Sequence, residues 1–497
     1  MINFQWYSEF IFLSSLFICI TLITHSLQNE VNQESIAIIG GGFAGIAAFN
    51  QLQANGYKNI KIFEASNRIG GRVYPIRYEN GYLQFGAQFI NGKKNPIYEI
   101  AKNLNIINGE EDDDDFIYTG EYKVGKCYLE DDIVKKFTNF SRNLERYYEL
   151  ISGDEKMNSK TIGDMFQKDY KTFLYKEAGL ENKLKSKKFY DALARLYKSY
   201  YETEWSSPIE KLSLINFDLW DDSEDELKSY TLNEFGYKAI LDYLTKNITK
   251  KYINFNSRII NIDYTNAKKI ALTLSNGDII TNYTKIIVTV PLGHLKKYGY
   301  SLFTPTLSKR RTKAISSLGF GNMQKIFFIY KEPFWSEKTK WIHTLSVNDC
   351  TKTDTFSKIF LSFQPLDWKN KNILVGWVSG KGPNLIKDLP ENILIDKITD
   401  HFRTAYNNDS IPRPTKILQK SWALNELFLG SYTYYTPESA LLPEDPIKTI
   451  SRPIYKNGKP IIMFAGEGTH PSIYQTVIGA YLSGQREANR IFRNSYI

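Results

Sequence analysis

A chain of 497 residues, 42% of them hydrophobic and 14% aromatic, is too long for one ordinary core and too apolar to be a disordered tail, so two packed domains are expected. The formal charge is +9, but the 63 basic residues are scattered among 54 acidic ones without a Lys/Arg block, which argues against a nucleic-acid partner. Three cysteines and five histidines show no metal-ligand spacing, so no metal centre is expected.

Residues 10–23 (FIFLSSLFICITLI) form an apolar run short for a bilayer span, followed by the small residues Thr24-His25-Ser26. A signal peptide cut near Ser26 is expected, giving a secreted or secretory-lumen protein. A membrane association arises only if the segment stays uncleaved as an anchor. Four N-x-S/T sequons, at Asn139, Asn247, Asn282 and Asn408, are compatible with secretion. Cys19 falls in the signal, leaving Cys127 and Cys350, which could form one disulfide. The sequence leaves open whether they meet.

The organising stretch is 35–72. An apolar strand at 36–39 runs into Gly40, Gly42 and Gly45 in G-x-G-x-x-G spacing, then a helix at 46–55 and a second strand at 59–63 that ends at Glu64. Gly40 allows the tight turn, Gly42 lets a pyrophosphate approach the backbone, and Gly45 lets the helix lie close to the strand. Glu64 stands where a carboxylate accepts ribose hydroxyls, which disfavours a 2′-phosphate. Arg68, Gly70, Gly71 and Arg72 then complete E-x-x-x-R-x-G-G-R. This pattern resembles the flavin-containing amine oxidase family, and the resemblance implies FAD, with Arg72 at the pyrophosphate.

Residues 83–92 and the following Asn95-Pro96-Ile97-Tyr98 resemble the polyamine oxidases of that family through Gly86, Ala87, Ile90 and Gly92. Asn91 stands where the family carries His or Glu at the substrate channel; it can hydrogen-bond but cannot titrate. Residues 110–115 are six consecutive acids, expected as a solvated loop or as a rim that concentrates a polycation. Helical spacing over 137–201 ends near Glu202 and Glu204, candidates for facing a cationic substrate as against plain surface glutamates. Residues 233–237 return the chain to the cofactor domain, and Ile259 is expected to touch adenine through its backbone. Residues 269–274 and 279–281 flank a hairpin turn, and 285–293 is a buried strand expected beside the first one. In the densely matching stretch 303–335, Lys325 aligns with the lysine that reaches flavin N5 through a water, and Tyr434 is a candidate pocket residue.

The last block, 461–490, resembles the family's second signature. Glu467 would hold the ribityl or pyrophosphate end, with Thr476 and Val477 at the cofactor. A helix beginning at 479 would face the flavin C2=O, Tyr474 would form half of an aromatic sandwich around the amine, and Gln475 in place of a small serine would narrow the pocket. No cysteine lies near this block, so FAD is expected to be non-covalent.

The fold expected is α/β: a discontinuous Rossmann-like FAD-binding domain (35–103, 232–300 and 440–497) plus an α+β substrate-binding domain (104–231 and 301–439), as in the amine oxidase and glutathione-reductase-like superfamily. The resemblance implies oxidation of a polyamine secondary amine by hydride transfer, with O2 reoxidising the flavin to give H2O2, an aldehyde and an amine. The alternatives are a secreted L-amino-acid oxidase, which needs an arginine for the substrate carboxylate such as Arg77, and a flavin-binding homologue impaired by Asn91 and Gln475. A secretory N-terminus and no long helical insertion argue against a histone demethylase.

Overall fold

The computed structural model describes residues 34–112, 120–177, 183–220, 228–366 and 372–494. The N-terminal apolar segment and its expected cleavage site lie outside them. β1 (Ile36–Ile39) is buried at every residue, as a strand covered on both faces must be. It leads into α1 (Phe43–Ala54), which begins at Phe43 rather than at residue 46 because Gly42 already acts as its N-cap. β2 (Ile60–Phe63) returns parallel to β1, Ile36 opposite Ile60. β3 (Ile90–Asn91) and β4 (Ile107–Asp112) follow. α2 (Asp131–Ile151), α3 (Ile162–Glu177) and α4 (Lys183–Glu204) occupy the stretch expected to be helical. β5 (Lys228–Leu232) then lies between β3 and β4 in a three-stranded antiparallel sheet. β6 (Lys285–Val288), β7 (Gln324–Ile329), β8 (Ser362–Pro365), β9 (Ile373–Val378), β10 (Lys459–Phe464) and α5 (Val477–Asn494) complete the elements that matter to the site.

Two six-stranded sheets carry the molecule. The first runs Ile454–Lys456, β10, β6, β1, β2, Ile253–Asn254, parallel from β10 onward, so segments separated by hundreds of residues meet on β1. α1 and α5 cover it and approach closely at Gly484, where a Cβ would collide with the Ala44 carbonyl. The second runs Lys416–Gln419, β7, β9, β8, Ile342–Thr344, Glu121–Lys123. The helical layer packs Phe137, Phe166 and Tyr197 as a core of its own.

The acidic run departs from the loop expectation. Glu110, Glu111 and Asp112 belong to β4, paired with β5, and Glu110 forms an ion pair with Lys228 at 3.2 Å. The strand pairing supplies backbone hydrogen bonds, and Glu110 and Glu111, as successive strand residues, direct their side chains to opposite faces, which lessens their repulsion. Residues 113–115 lie outside the described residues. Cys127 and Cys350 are joined by a disulfide, with Cα atoms 5.3 Å apart, which answers the question the sequence left open.

Candidate active site

One cavity of about 560 Å³ extends from the glycine turn after β1 to the aromatic residues on the second sheet. Its nucleotide end is built mainly from backbone. Gly40 has φ 112°, the left-handed region that suits glycine, and a Cβ on Gly45 would collide with the Gly40 carbonyl oxygen. A Cβ on Gly71 would stand 3.2 Å from the Gly42 Cα, so the two glycine backbones form a cradle at the α1 N-terminus that side chains would fill. Free first-turn N–H groups there suit a pyrophosphate. Glu64, at the end of β2, is fixed by the Gly41 N–H (2.7 Å) on one oxygen and by the Ser66 N–H and hydroxyl (2.8 and 2.7 Å) on the other. Ile259 also lines this end. The cradle, the helix terminus and the carboxylate fit the adenine-dinucleotide half of FAD.

The arginines divide their work. Arg68 donates to the Gly71 and Val73 carbonyls and lies flat over Tyr74, its carbon 3.8 Å from the ring centre, which holds the glycine loop. Arg72 reaches the cavity but donates to the Ser431 carbonyl (2.6 Å) and to Glu467 (3.0 Å). Glu467 lines the cavity as well. It is 3% exposed and also accepts from the Thr433 hydroxyl and the Gln475 N–H, both at 3.0 Å. A buried carboxylate needs such donors, and meeting that need makes Glu467 a clamp that holds Arg72 and the turn before α5. The Thr476 hydroxyl accepts the Gly479 N–H at 2.9 Å and caps α5, which starts at Val477 rather than 479; Thr476 and Val477 both line the cavity.

At the other end, Lys325 on β7 is 2% exposed. Its Nζ donates to Gln88 Oε1 at 3.0 Å and lies 5.2 Å from the Trp377 ring centre, the residue opposite it on β9. Burial pushes this amine down from its ordinary range to about 7. Trp377 in turn stacks on Phe89, ring centres 6.2 Å apart. Asn91 lines the same wall on β3, its Nδ2 3.4 Å from Ser229 Oγ. Glu204, at the end of α4, lines the cavity, and burial raises its carboxyl to about 7. The surface it exposes is therefore cavity wall.

Five expectations are corrected. Glu202 is not a cavity residue: two positions before Glu204 on a helix, it points to another side and packs on Gly380, its carboxyl raised to about 7 by burial and by nearby Glu210. Tyr434 is core, its ring lying against Gly319 of the paired strand. Tyr474 is 0% exposed and does not line the cavity; it stands behind Trp205 (6.2 Å) and edge-on to Tyr435 (5.3 Å), so Trp205 is the aromatic presented to a ligand. Arg77 lies exposed on the strand Pro75–Tyr78 and does not line the cavity. Among the described residues the guanidiniums that do are Arg72 and Arg258, each ion-paired to a glutamate. Gln475, at φ 71°, ties its amide to the Thr433 carbonyl at 2.8 Å and so lies along the wall rather than across the space.

Sequence reasoning passed over Gln88, Trp205, Trp377 and Tyr432, all of which line the cavity. Trp377 had a signal, because Leu374-Val375-Gly376-Trp377-Val378 reads as a sheet strand in which one face must meet the neighbour of Lys325. The others had none at short range.

A Rossmann-like parallel sheet that delivers a dinucleotide cradle to an aromatic-lined chamber with a buried lysine defines a flavin-dependent oxidoreductase. The chain belongs to the flavin-containing amine oxidoreductase family, whose model matches residues 43–492. It is accordingly an enzyme with FAD as cofactor. It is 24% identical to the bovine peroxisomal N(1)-acetyl-spermine/spermidine oxidase over 92% of this chain and 94% of that protein. Similarity to probable polyamine oxidase 5 of Arabidopsis thaliana is 24%, covering 92% of this chain and 98% of the relative. Human lysine-specific histone demethylase 2 is 27% identical over 94% of this chain, which spans 54% of the demethylase.

Proposed function

We propose that the protein oxidises a secondary amine of a polyamine to an iminium and passes the two electrons to O2, giving H2O2, and that water then hydrolyses the C=N bond to an aldehyde and an amine. The observation that carries this reading is the row of carboxylates on one cavity. Glu204 stands near the aromatic chamber, and Glu145, Glu149, Asp218 and Glu111 line the same cavity. An extended chain with several ammonium groups meets several carboxylates there, whereas an amino acid would need a free guanidinium, and among the described residues the two that line the wall, Arg72 and Arg258, are ion-paired to glutamates.

FAD held in the cradle supplies the hydride acceptor. The chain's own residues prepare the amine. Trp377, Phe89, Trp205 and Tyr432 exclude water and confine the carbon chain. Above pH 7 Glu204 is a carboxylate that holds an ammonium, and Lys325 is largely a neutral amine that can take a hydrogen bond from a water beside the reacting nitrogen. Both groups therefore favour reaction as pH rises through 7. Asn91 binds without titrating, so this position adds no pH limb of its own.

Spermine, spermidine, N-acetylated polyamines, a monoamine and L-leucine, each mixed anaerobically with the yellow holoprotein, test the reading through flavin absorbance near ~450 nm, the usual band of oxidised flavin. Bleaching by polyamines alone is expected. Bleaching by L-leucine would replace the reading with an amino-acid oxidase, and no bleaching by any amine would leave an impaired flavin-binding homologue.

The same proposal places the protein in the secretory lumen or outside the cell. The Cys127–Cys350 disulfide suits an oxidising compartment, and Asn139, Asn247, Asn282 and Asn408 are all exposed. A mass loss on endoglycosidase treatment of the protein from a secretory host is the expected result; an unchanged mass would remove this support.

A further inference from the structure

A line of hydrogen bonds starts at the reaction end of the cavity and runs through its wall to a second point on the same wall. Lys325 Nζ donates to Gln88 Oε1 at 3.0 Å, Gln88 Nε2 donates to Gln364 Oε1 at 3.4 Å, and Gln364 Nε2 donates to Glu111 Oε1 at 3.0 Å. The four residues come from β7, the loop before β3, β8 and β4, so the line exists only in the folded chain. An ammonium can only donate and a carboxylate can only accept, and these two ends dictate one orientation for both amides between them. Each carbonyl points toward the lysine and each N–H toward the glutamate, so the amide dipoles align and polarise one another. Lys325 and Gln364 are 2% and 6% exposed, while Gln88 and Glu111 are half-buried on the cavity wall.

Glu111 is held at the far end by its strand. β4 pairs with β5 in a register that sets Glu111 opposite Ser229, and the neighbouring Glu110 is occupied by Lys228. Successive residues of a strand face opposite sides, so these two adjacent acids take different partners. Among the described residues of the acidic run, Glu111 thus reaches the cavity wall.

We propose that Glu111 is a positioning residue for Lys325: through Gln364 and Gln88 it fixes the direction of the ε-amino group and favours its charged form. The inference rests on the reading of Lys325 as a residue beside the reacting centre. Burial works against the ammonium, and Trp377 on β9 and Gln88 stand against it, the ring centre 5.2 Å and the amide oxygen 3.0 Å from Nζ. Burial is the cause that moves its titration. Around Glu111 stand Gln364 from β8 and Ser229 from β5, with Lys340, Asp218, Glu145 and Glu149 on the wall of the shared cavity. The aligned amides oppose the effect of burial by making Gln88 Oε1 a stronger acceptor. Without them the amine would lose its proton at lower pH.

The test titrates the full-length holoprotein carrying 13Cε-labelled lysine, with the Lys325 resonance identified by its absence in Lys325→Met. Glu111→Gln removes the charge, Gln364→Leu breaks the line while leaving the charge, and Gln364→Met repeats that break with a more adaptable side chain. Glu110→Gln serves as the surface control. The Lys325 midpoint is expected to fall by roughly half a pH unit in Glu111→Gln and in both Gln364 variants, and to stay in place in Glu110→Gln. The pH profile of amine oxidation should move in the same direction. Unchanged midpoints in the Glu111 and Gln364 variants would overturn the proposal. So would a shift in Glu111→Gln alone, because the carboxylate would then act through space and not through the amides. The titration needs no turnover, so failure to oxidise amines and failure of this coupling are separate results.

Discussion

The two ends of the cavity are built in different ways. The nucleotide end is made by a contiguous stretch, β1 through Arg72, in which glycine backbones and one carboxylate do most of the work. The reaction end is assembled from side chains on β3, α4, β7, β9 and the turn before α5, and its chemistry depends on which of them face inward. A backbone site tolerates no added Cβ. A side-chain site tolerates substitution but changes its pH dependence and its substrates.

The largest effect should come from the backbone end. Gly45→Ala would drive a Cβ into the Gly40 carbonyl oxygen, so the variant is expected to purify without FAD or not to fold, read by the loss of yellow colour and of the folded far-ultraviolet spectrum. A normal FAD content would show that the cradle is softer than its geometry implies. Lys325→Met comes next: it should keep FAD and lose about 10²-fold in turnover, the usual scale of a positioned acid–base group, measured as H2O2 released per second. Loss of FAD instead would mean that Lys325 supports the fold.

Much of the nucleotide end was legible because its parts lie within forty or so positions of one another, as is general for this mononucleotide-binding unit. The helical layer was legible from apolar spacing without breakers. The reaction end was less so. A sequence shows that Tyr434 and Tyr474 are aromatic but not that one lies against Gly319 and the other behind Trp205. The acidic run was read as a loop because its partner β5 lies far along the chain, and Gln88 and Gln364 carried no signal before β8 and the loop before β3 met. Glu202 and Glu204 could not be separated until α4 fixed their directions.

A smaller effect sharpens the corrected aromatic assignment. Trp205→Phe should raise KM for a polyamine by roughly tenfold, about 1.4 kcal/mol, whereas Tyr474→Phe should leave KM within about threefold, since among the described residues its hydroxyl has no hydrogen-bond partner and its ring lines no cavity. Steady-state kinetics on one polyamine decide this, and the reverse order would restore Tyr474 to the site. Asn91→His should have the smallest effect on the fold and add a titrating group to the wall, seen as a new limb in the pH profile.

The rate of flavin bleaching by spermine, followed anaerobically across pH in the wild type and in Glu204→Gln, tests the central claim that the reaction end binds and prepares an amine through the titrating groups Glu204 and Lys325 on its wall. The carboxyl raised to about 7 and the amine lowered to about 7 both reach their working forms as pH rises. The wild-type rate constant per spermine concentration should therefore climb through pH 7, and Glu204→Gln, with FAD content unchanged, should be slower and retain only the part of that rise owed to Lys325. A flat wild-type profile, or a variant indistinguishable from it, would contradict the account.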